Sequence, residues 1–262
     1  QPRAPKPIRW KTLCTAIVCI AIWVLFTGSS VTQGRLITST IAAILMLSSV
    51  VIIGYLGQLS LANLTFAGVA AYISSRLAAD GSVYGFSAFA LEGPGLPSPI
   101  AMLLGVCIAV AVGLLIAIPA VRIRGLQLAV VTLAGAVAIT EIVMGNESLI
   151  GKGAQSNLSV PPPQWFGVDI TVDPSISRDR PTLIIFCCIW LLLCITAVVG
   201  IRNGVTGRKF LAVRSNERAA SSLGVNVAGA KLLGFGIGSA LAGVAGVLTA
   251  YQQTVLQIST WD

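Results

Sequence analysis

Few residues of this chain could do chemistry, and most of these are uncharged polar groups inside long apolar runs. The polar groups are Gln58, Ser60, Asn63, Thr65 and Thr132. A polar group within an apolar span needs a hydrogen-bonding partner or a water-filled cavity. Two interpretations therefore stay open: these side chains either bond neighbouring helices together or line a path for a polar solute.

Catalysis has little support in the sequence. The chain has no histidine, so imidazole metal ligands and the Ser-His and Cys-His catalytic pairs are excluded. The stretch GNESLIGKG at 145–153 resembles a phosphate-binding loop, but five residues rather than four separate its first two glycines. Its lysine is also followed by glycine, where that loop needs Ser or Thr. We therefore predict a chain that is not an enzyme and that holds no cofactor or metal.

The six cysteines give no sign of disulfides or metal ligation. All of them lie in apolar runs and none forms a CxxC pair. Buried cysteine behaves as a small hydrophobic residue, so we predict that role for these side chains.

The composition identifies a polytopic membrane protein. Of 262 residues, 55% are hydrophobic and 10% are charged, whereas a soluble domain carries about 25% charged residues. Disordered chains are charged and poor in apolar residues, so disorder is excluded as well. In a membrane protein, the net charge of +8 orients the chain rather than binding nucleic acid.

Apolar runs of about 17–25 residues predict an all-α protein with about seven transmembrane helices. The candidate spans are 13–29, 36–55, 59–79, 99–119, 126–145, 182–200 and 232–251. The second and third form one apolar stretch that is too long for a straight span. We therefore place a turn or break at the glycine-rich residues 54–58.

The last candidate span carries a small residue at every fourth position. The residues of this face are Gly234, Gly238, Ala242 and Gly246. Small residues allow helices to approach closely in a membrane, so we predict a packing face, either within the subunit or against a partner.

The basic residues indicate how the spans are oriented. With the N-terminus inside, 12 of the 17 basic residues face the cytoplasm, in agreement with the positive-inside rule. We therefore predict a cytoplasmic segment, 1–12, followed by a transmembrane domain, 13–262. Within that domain, 146–181 forms an external loop and 201–231 a cytoplasmic loop.

The cytoplasmic loop contains the signals of a short helix. Ser215 or Asn216 can cap its start. Gly224 can end it in the left-handed conformation, and Asn226 can cap the next helix. Two interpretations stay open: a juxtamembrane amphipathic helix attracted to anionic membrane lipid, or a docking helix for a cytoplasmic partner.

The same loop resembles the EAA loop of bacterial ABC importer permeases, in which Glu-Ala-Ala is followed four residues later by glycine. The matching positions are Glu217, Ala219, Ala220 and Gly224. Three longer strings are similar, in the same order, to motifs of the M-type subunit of the branched-chain amino acid permease family. They are GYLGQLSLANLTFAGVAAY at 54–72, VRIRGLQLAVVTLAGAVAI at 121–139 and GRKFLAVRSNERAASSLGVNVAGAKLLGF at 207–235.

The resemblance implies an ABC importer permease fold that works by alternating access. It implies translocation of leucine, isoleucine and valine or a related small polar solute, with urea or short amides as alternative solutes. An ion-coupled secondary transporter is a further alternative, although the sequence has no clear internal repeat and no charge at the centre of a span. The family continues with further spans, so we also expect this chain to be C-terminally truncated.

The implied complex lies in the bacterial plasma (inner) membrane and contains several other subunits. A second permease subunit forms a heterodimer with this chain, two cytoplasmic ABC ATPase subunits bind ATP and magnesium, and an extracytoplasmic solute-binding protein delivers the solute. The residues that the resemblance assigns to ATPase coupling are Ser215, Asn216, Glu217, Arg218, Ala219, Ala220 and Gly224.

Overall fold

The computed structural model describes most of the predicted transmembrane domain. The described residues are 30–58, 60–78, 95–121, 126–144, 158–160, 163–165, 168–169, 181–253 and 255–256. The predicted cytoplasmic segment 1–12 and the predicted first span 13–29 lie outside them.

The described chain is mainly helical, with four two-residue strands. The helices are α1 (Ser30–Ser49), α2 (Asn63–Ala78), α3 (Ser98–Ala120), α4 (Leu126–Met144), α5 (Pro181–Asn203), α6 (Val205–Ser215), α7 (Glu217–Ser222) and α8 (Val227–Gln252). A π-helical segment, Val50–Tyr55, continues α1. The strands are β1 (Leu158–Ser159), β2 (Gln164–Trp165), β3 (Val168–Asp169) and β4 (Val255–Leu256).

Four of the described helices are long and apolar enough to cross a membrane. They are α1 together with the π-helical segment, α3, α5 and α8. The other two helices at predicted spans are shorter: α2 has 16 residues, and the apolar part of α4 runs from Gln127 to Ile142. The predicted bounds differ from the structure mainly at helix starts, since α1 begins at Ser30 rather than 36 and α8 at Val227 rather than 232.

The predicted cytoplasmic loop 201–231 is wrong in its secondary structure, because most of it is helical. The helix α5 continues to Asn203, Gly204 adopts an extended conformation, and α6 begins at the next residue. Phe210 and Val213, three residues apart on α6, are both buried. This spacing gives α6 an apolar face that packs on the bundle, which explains why the segment is ordered as a helix.

The small-residue face of α8 packs within the chain, against α1, the π-helical segment and α2. Gly234, Gly238, Ala242 and Gly246 are all buried. A Cβ added at Gly246 would overlap the carbonyl of Ala67, and one added at Gly238 would overlap the Ile52 side chain. The Ser48 hydroxyl donates to the Gly238 carbonyl at 2.8 Å. The α8 backbone therefore meets the α2 backbone at Gly246 and side chains at Gly238, and α8 forms the centre of the core.

The cysteines follow the prediction on α5 but not on α3. Cys187, Cys188 and Cys194 are buried on α5, as expected for small hydrophobic side chains. Cys107 is exposed on α3, so the prediction of burial is wrong at this position. An apolar run in a membrane protein can face lipid as readily as protein, and the sequence does not distinguish the two.

The described elements also define two opposite ends of the bundle. At one end, β1 pairs with β4 at the end of α8, and the Tyr251 hydroxyl donates to the Ser98 carbonyl at the start of α3. There Trp165, from β2, packs edge-on against Phe186 of α5 with ring centroids 4.9 Å apart. At the other end lie α6, α7 and the start of α8, so the described strands within 146–181 and the predicted loop 201–231 belong to opposite ends.

Replacing Gly246 by Ala should lower the stability of the fold, because the added Cβ would overlap the backbone of α2. Gly200→Ala is the matched control, since nothing lies within 4 Å of a Cβ added there. Both changes improve helix propensity by about 1 kcal/mol, whereas overpacking at Gly246 costs about 1–3 kcal/mol. In thermal unfolding of the detergent-solubilised chain, we expect a lower midpoint for Gly246→Ala and an equal or higher one for Gly200→Ala. Equal midpoints would contradict the close contact.

Cysteines introduced at Gln164 and Ser222 should react from opposite faces of the membrane. Both side chains are exposed, and they lie at opposite ends of the bundle. The measurement is labelling by a membrane-impermeant thiol reagent in sealed vesicles, starting from a chain without its native cysteines. Detergent-permeabilised vesicles, in which both positions should react, are the control. Labelling of both positions from one side of intact vesicles would overturn this arrangement.

Candidate functional site

The corner between α1 and α2 is shaped by two glycines. The Gln58 N–H bonds back to the Ile52 carbonyl at 3.2 Å, and Gly57 has φ 71°. This left-handed conformation strains residues with a side chain, which explains the glycine. A Cβ at Gly57 would also lie 2.7 Å from Cγ of Arg214, whose guanidinium donates to the Gly54 carbonyl. The end of α6 is thereby tied to this corner.

The predicted polar residues meet at this same corner, and all five are buried. They are Gln58, Ser60, Asn63, Thr65 and Thr132. Asn63 Nδ2 donates to Ser49 Oγ at 2.8 Å and links the start of α2 to the end of α1. The Leu61 N–H donates to Thr132 Oγ1 at 3.4 Å, which links the corner to α4. Among the described residues, Gln58 Oε1 and Asn63 Oδ1 have no hydrogen-bond donor.

The short helix α7 has the ends that the sequence predicts. Asn216 Oδ1 accepts from the N–H groups of Arg218 and Ala219 at 3.0 and 3.2 Å. Ser215, the alternative cap, instead donates its hydroxyl to the Ala212 carbonyl. Asn216 is therefore the residue that caps the start of α7.

A glycine turn ends α7 and leads directly into α8. Gly224 has φ 81°, its N–H bonds to the Ser221 carbonyl, and the Val225 N–H bonds to the Ala220 carbonyl. These two hydrogen bonds form a Schellman motif. Asn226 Oδ1 then accepts from the Gly229 N–H at 2.9 Å and caps α8.

A buried ion pair joins α7 to α8. Nζ of Lys231, on the second turn of α8, lies 2.9 Å from Oε1 of Glu217, the first residue of α7. The Lys231 side chain is 1% exposed and that of Glu217 is 15% exposed. Gln58 Nε2 donates to the same Glu217 oxygen at 3.4 Å. We call these three residues the junction, since they bring together α7, α8 and the corner after α1.

The ion pair is one of the contacts that attach α7 to the bundle. Ala220 is the only residue of α7 that is buried, and it offers a single methyl group. Burial of a methyl-sized group contributes about 0.8 kcal/mol. Removal of one partner from a buried ion pair typically costs about 3–5 kcal/mol, because the other charge is left without compensation. The position of α7 therefore depends mainly on Glu217 and Lys231.

The remaining predicted coupling residues form an exposed surface on α7. Arg218 and Ala219 are exposed, as are the residues from Ser221 to Gly224, and Leu223 is 82% exposed. No group of cysteine, aspartate or glutamate side chains among the described residues could hold a metal ion.

Sequence reasoning missed Lys231 and Arg214 as members of this site. Both were counted as orienting charges, because a lysine near a membrane end usually reaches water. One signal was present: Lys231 is the only charged residue in α8, and a lone charge within an apolar helix indicates a buried partner. The partner itself is 14 positions away in the sequence, at Glu217, and no local pattern identifies it.

Substitution of Gly224 should destabilise the turn in proportion to the strain at positive φ. A Cβ has open space there, so the cost arises from the backbone conformation alone. We expect Gly224→Val to open α7 locally by about 1–2 kcal/mol, or roughly tenfold, and Gly224→Asn to have a much smaller effect. The measurement is the rate of tryptic cleavage after Arg218, which is exposed on α7. Equal rates for the valine and asparagine variants would contradict the strained turn.

Comparisons with known proteins agree with this architecture. The family model "Branched-chain amino acid transport system / permease component" matches residues 31–261. The chain is 29% identical, over 262 residues, to the "High-affinity branched-chain amino acid transport system permease protein LivM" of Escherichia coli, covering 94% of this chain and 58% of that protein. It is 30% identical, over 162 residues, to the protein of the same name from Salmonella typhimurium, covering 56% of this chain and 38% of that protein.

The chain therefore matches little more than half the length of the first relative and less than half that of the second. No solved structure matches it. The family model nevertheless covers nearly all of the described helices, and four of these are long and apolar enough to cross a membrane. The chain belongs to the permease component family of branched-chain amino acid transport systems, and it is a multi-pass membrane protein.

Proposed function

We propose that this chain is a membrane subunit of an ATP-driven importer and that α7 docks onto a cytoplasmic ATPase subunit. One observation carries this proposal: α7 is a short helix with an exposed outer face, fixed by a buried ion pair to the core of the bundle. When a cytoplasmic partner displaces such a helix, the displacement reaches the transmembrane helices. The chain itself contributes no ATP site, and ATP and magnesium bind to the partner.

The chemistry of the exposed face favours a protein partner over lipid. The face consists of small residues, one arginine and Leu223, a large apolar side chain that is 82% exposed. Small residues permit close approach, and an exposed leucine among polar neighbours is typical of an anchor that fills a pocket on a partner. Helices that bind a lipid surface have a broad apolar face with basic residues on the other, which α7 lacks.

The complex that follows from this proposal has the predicted partners. A second permease subunit completes the pathway as a heterodimer, two ATPase subunits bind at the α7 end, and an extracytoplasmic binding protein meets the opposite end. The α7 end is then cytoplasmic, the N-terminus is cytoplasmic, and the protein lies in the bacterial inner membrane. The basic residues at the α7 end support this orientation.

The proposed solutes are leucine, isoleucine and valine, because the relatives are described as branched-chain amino acid permeases. We propose that the polar corner forms the cytoplasmic end of the translocation path. The free acceptor oxygens of Gln58 and Asn63 support this role, since an amino acid carries an ammonium group that can donate to both. Urea or a short amide would suit the same groups and is the alternative solute.

The test is uptake of labelled leucine by proteoliposomes that contain the intact complex. We expect uptake that requires ATP and that unlabelled isoleucine and valine inhibit. Leu223→Asp should reduce ATPase co-purification and uptake by about tenfold or more, because it places a charge in an apolar contact.

Asn203→Asp is the matched control, since Asn203 is exposed at the same end and receives the same change in charge. It should leave uptake unchanged. Inhibition of uptake by urea but not by valine would show that the solute is urea or a short amide rather than a branched-chain amino acid. Full uptake by the Leu223→Asp complex would show that α7 does not dock, and uptake driven by an ion gradient without ATP would overturn the importer.

A further inference from the structure

Neither membrane insertion nor orientation of the chain requires Lys231 to be buried. A lysine at a membrane end ordinarily extends its ammonium into water, yet Lys231 is 1% exposed and its Nζ lies 2.9 Å from Glu217 Oε1. An apolar residue of similar size would fill the site without a buried charge. The ion pair therefore fixes the position of α7 relative to α8 and does not serve stability alone.

We propose that Lys231 is a positioning residue for transport: it joins α7 and α8 so that the two move as one body, and displacement of α7 by the ATPase reaches the corner between α1 and α2. This inference rests on the proposed function, because it assumes that α7 receives the ATPase.

The first step of the argument is that α7 has few other attachments. Its only buried residue is Ala220, and its outer face is exposed. The Gly224 turn connects it to α8 through four residues, which fixes the length of the connection but allows a change in angle. The contact between Glu217 and Lys231 restricts that freedom, because separating the pair would leave the Lys231 ammonium buried away from its counter-charge.

The second step is that α8 cannot move at this end without moving its neighbours. Gly234, three residues after Lys231, packs against Leu56, and Gly238 packs against Ile52 of the π-helical segment. Such close-packed contacts transmit displacement because they leave no space for compression. Gln58 Nε2, on the corner itself, bonds the same Glu217 oxygen as the lysine. Displacement of α7 therefore reaches the corner in two ways. One runs through Lys231 and the packing of α8, and the other runs directly from Glu217 to Gln58.

The first experiment tests the connection in the full chain alone. A spin label at Ser222→Cys, in a chain without its native cysteines, reports the mobility of α7. Lys231→Met should increase label mobility, and Lys231→Arg should restore restricted motion. Lys209→Met is the control, since Lys209 is exposed on α6 and the change in charge is the same. Unchanged mobility in Lys231→Met would overturn the proposal.

The second experiment measures leucine molecules transported per ATP hydrolysed by the assembled complex. Lys231→Met should lower this ratio by about fivefold or more while the ATPase rate stays within about twofold of wild type. Lys231→Arg and the charge exchange Glu217→Lys with Lys231→Glu should recover most of the ratio. A residue with a merely structural role would lower complex yield and leave the ratio unchanged, and that result would overturn the proposal.

If the Lys231→Met chain does not assemble into the complex, a double variant tests the proposal instead. Glu217→Gln with Lys231→Met leaves no unpaired buried charge, so we expect it to fold and to show the low transport ratio. A wild-type ratio in this variant would overturn the proposal. Absence of ATP-dependent leucine uptake by the wild-type complex would instead refute the proposed function, and the label mobility would still decide whether Lys231 fixes α7.

Discussion

The ion pair between Lys231 and Glu217 joins three elements at the α7 end of this bundle. It places a charge from the core helix α8 against the first residue of α7, and Gln58 brings the corner after α1 to the same oxygen. The Lys231 ammonium has little access to water, so separating it from the Glu217 carboxylate carries a large penalty. The short helix α7, whose one buried residue is Ala220, is thereby held against the core.

Close packing of α8 extends this rigidity through the membrane. Small residues bring its backbone against α2 at Gly246, and Ser48 bonds its carbonyl at Gly238. In a membrane such contacts replace the hydrophobic effect as the source of helix association, because lipid is as apolar as the side chains. The same helix therefore carries the ion pair at one end and the close packing at the centre.

Local patterns in the sequence predicted those features that depend on neighbouring residues. The Asn216 cap, the left-handed Gly224 and the Asn226 cap all follow from spacings of a few residues. The small-residue face of α8 was also predicted, although only the structure shows that it packs within the chain. The junction could not be predicted, because Gln58, Glu217 and Lys231 are far apart in sequence and meet only through helix packing. Exposure of Cys107 was missed for a related reason, since the sequence does not show which face of a span meets lipid.

The central claim is that α7 and α8 move as one body. The most direct measurement is a pair of structures of the intact complex, one free of nucleotide and one trapped with ATP, compared after superposition on α5. The account predicts that α7 changes position relative to α5 while Lys231 Nζ and Glu217 Oε1 stay in contact, near the 2.9 Å found here. Movement of α7 with the two atoms separated beyond ion-pair distance in either state would contradict it.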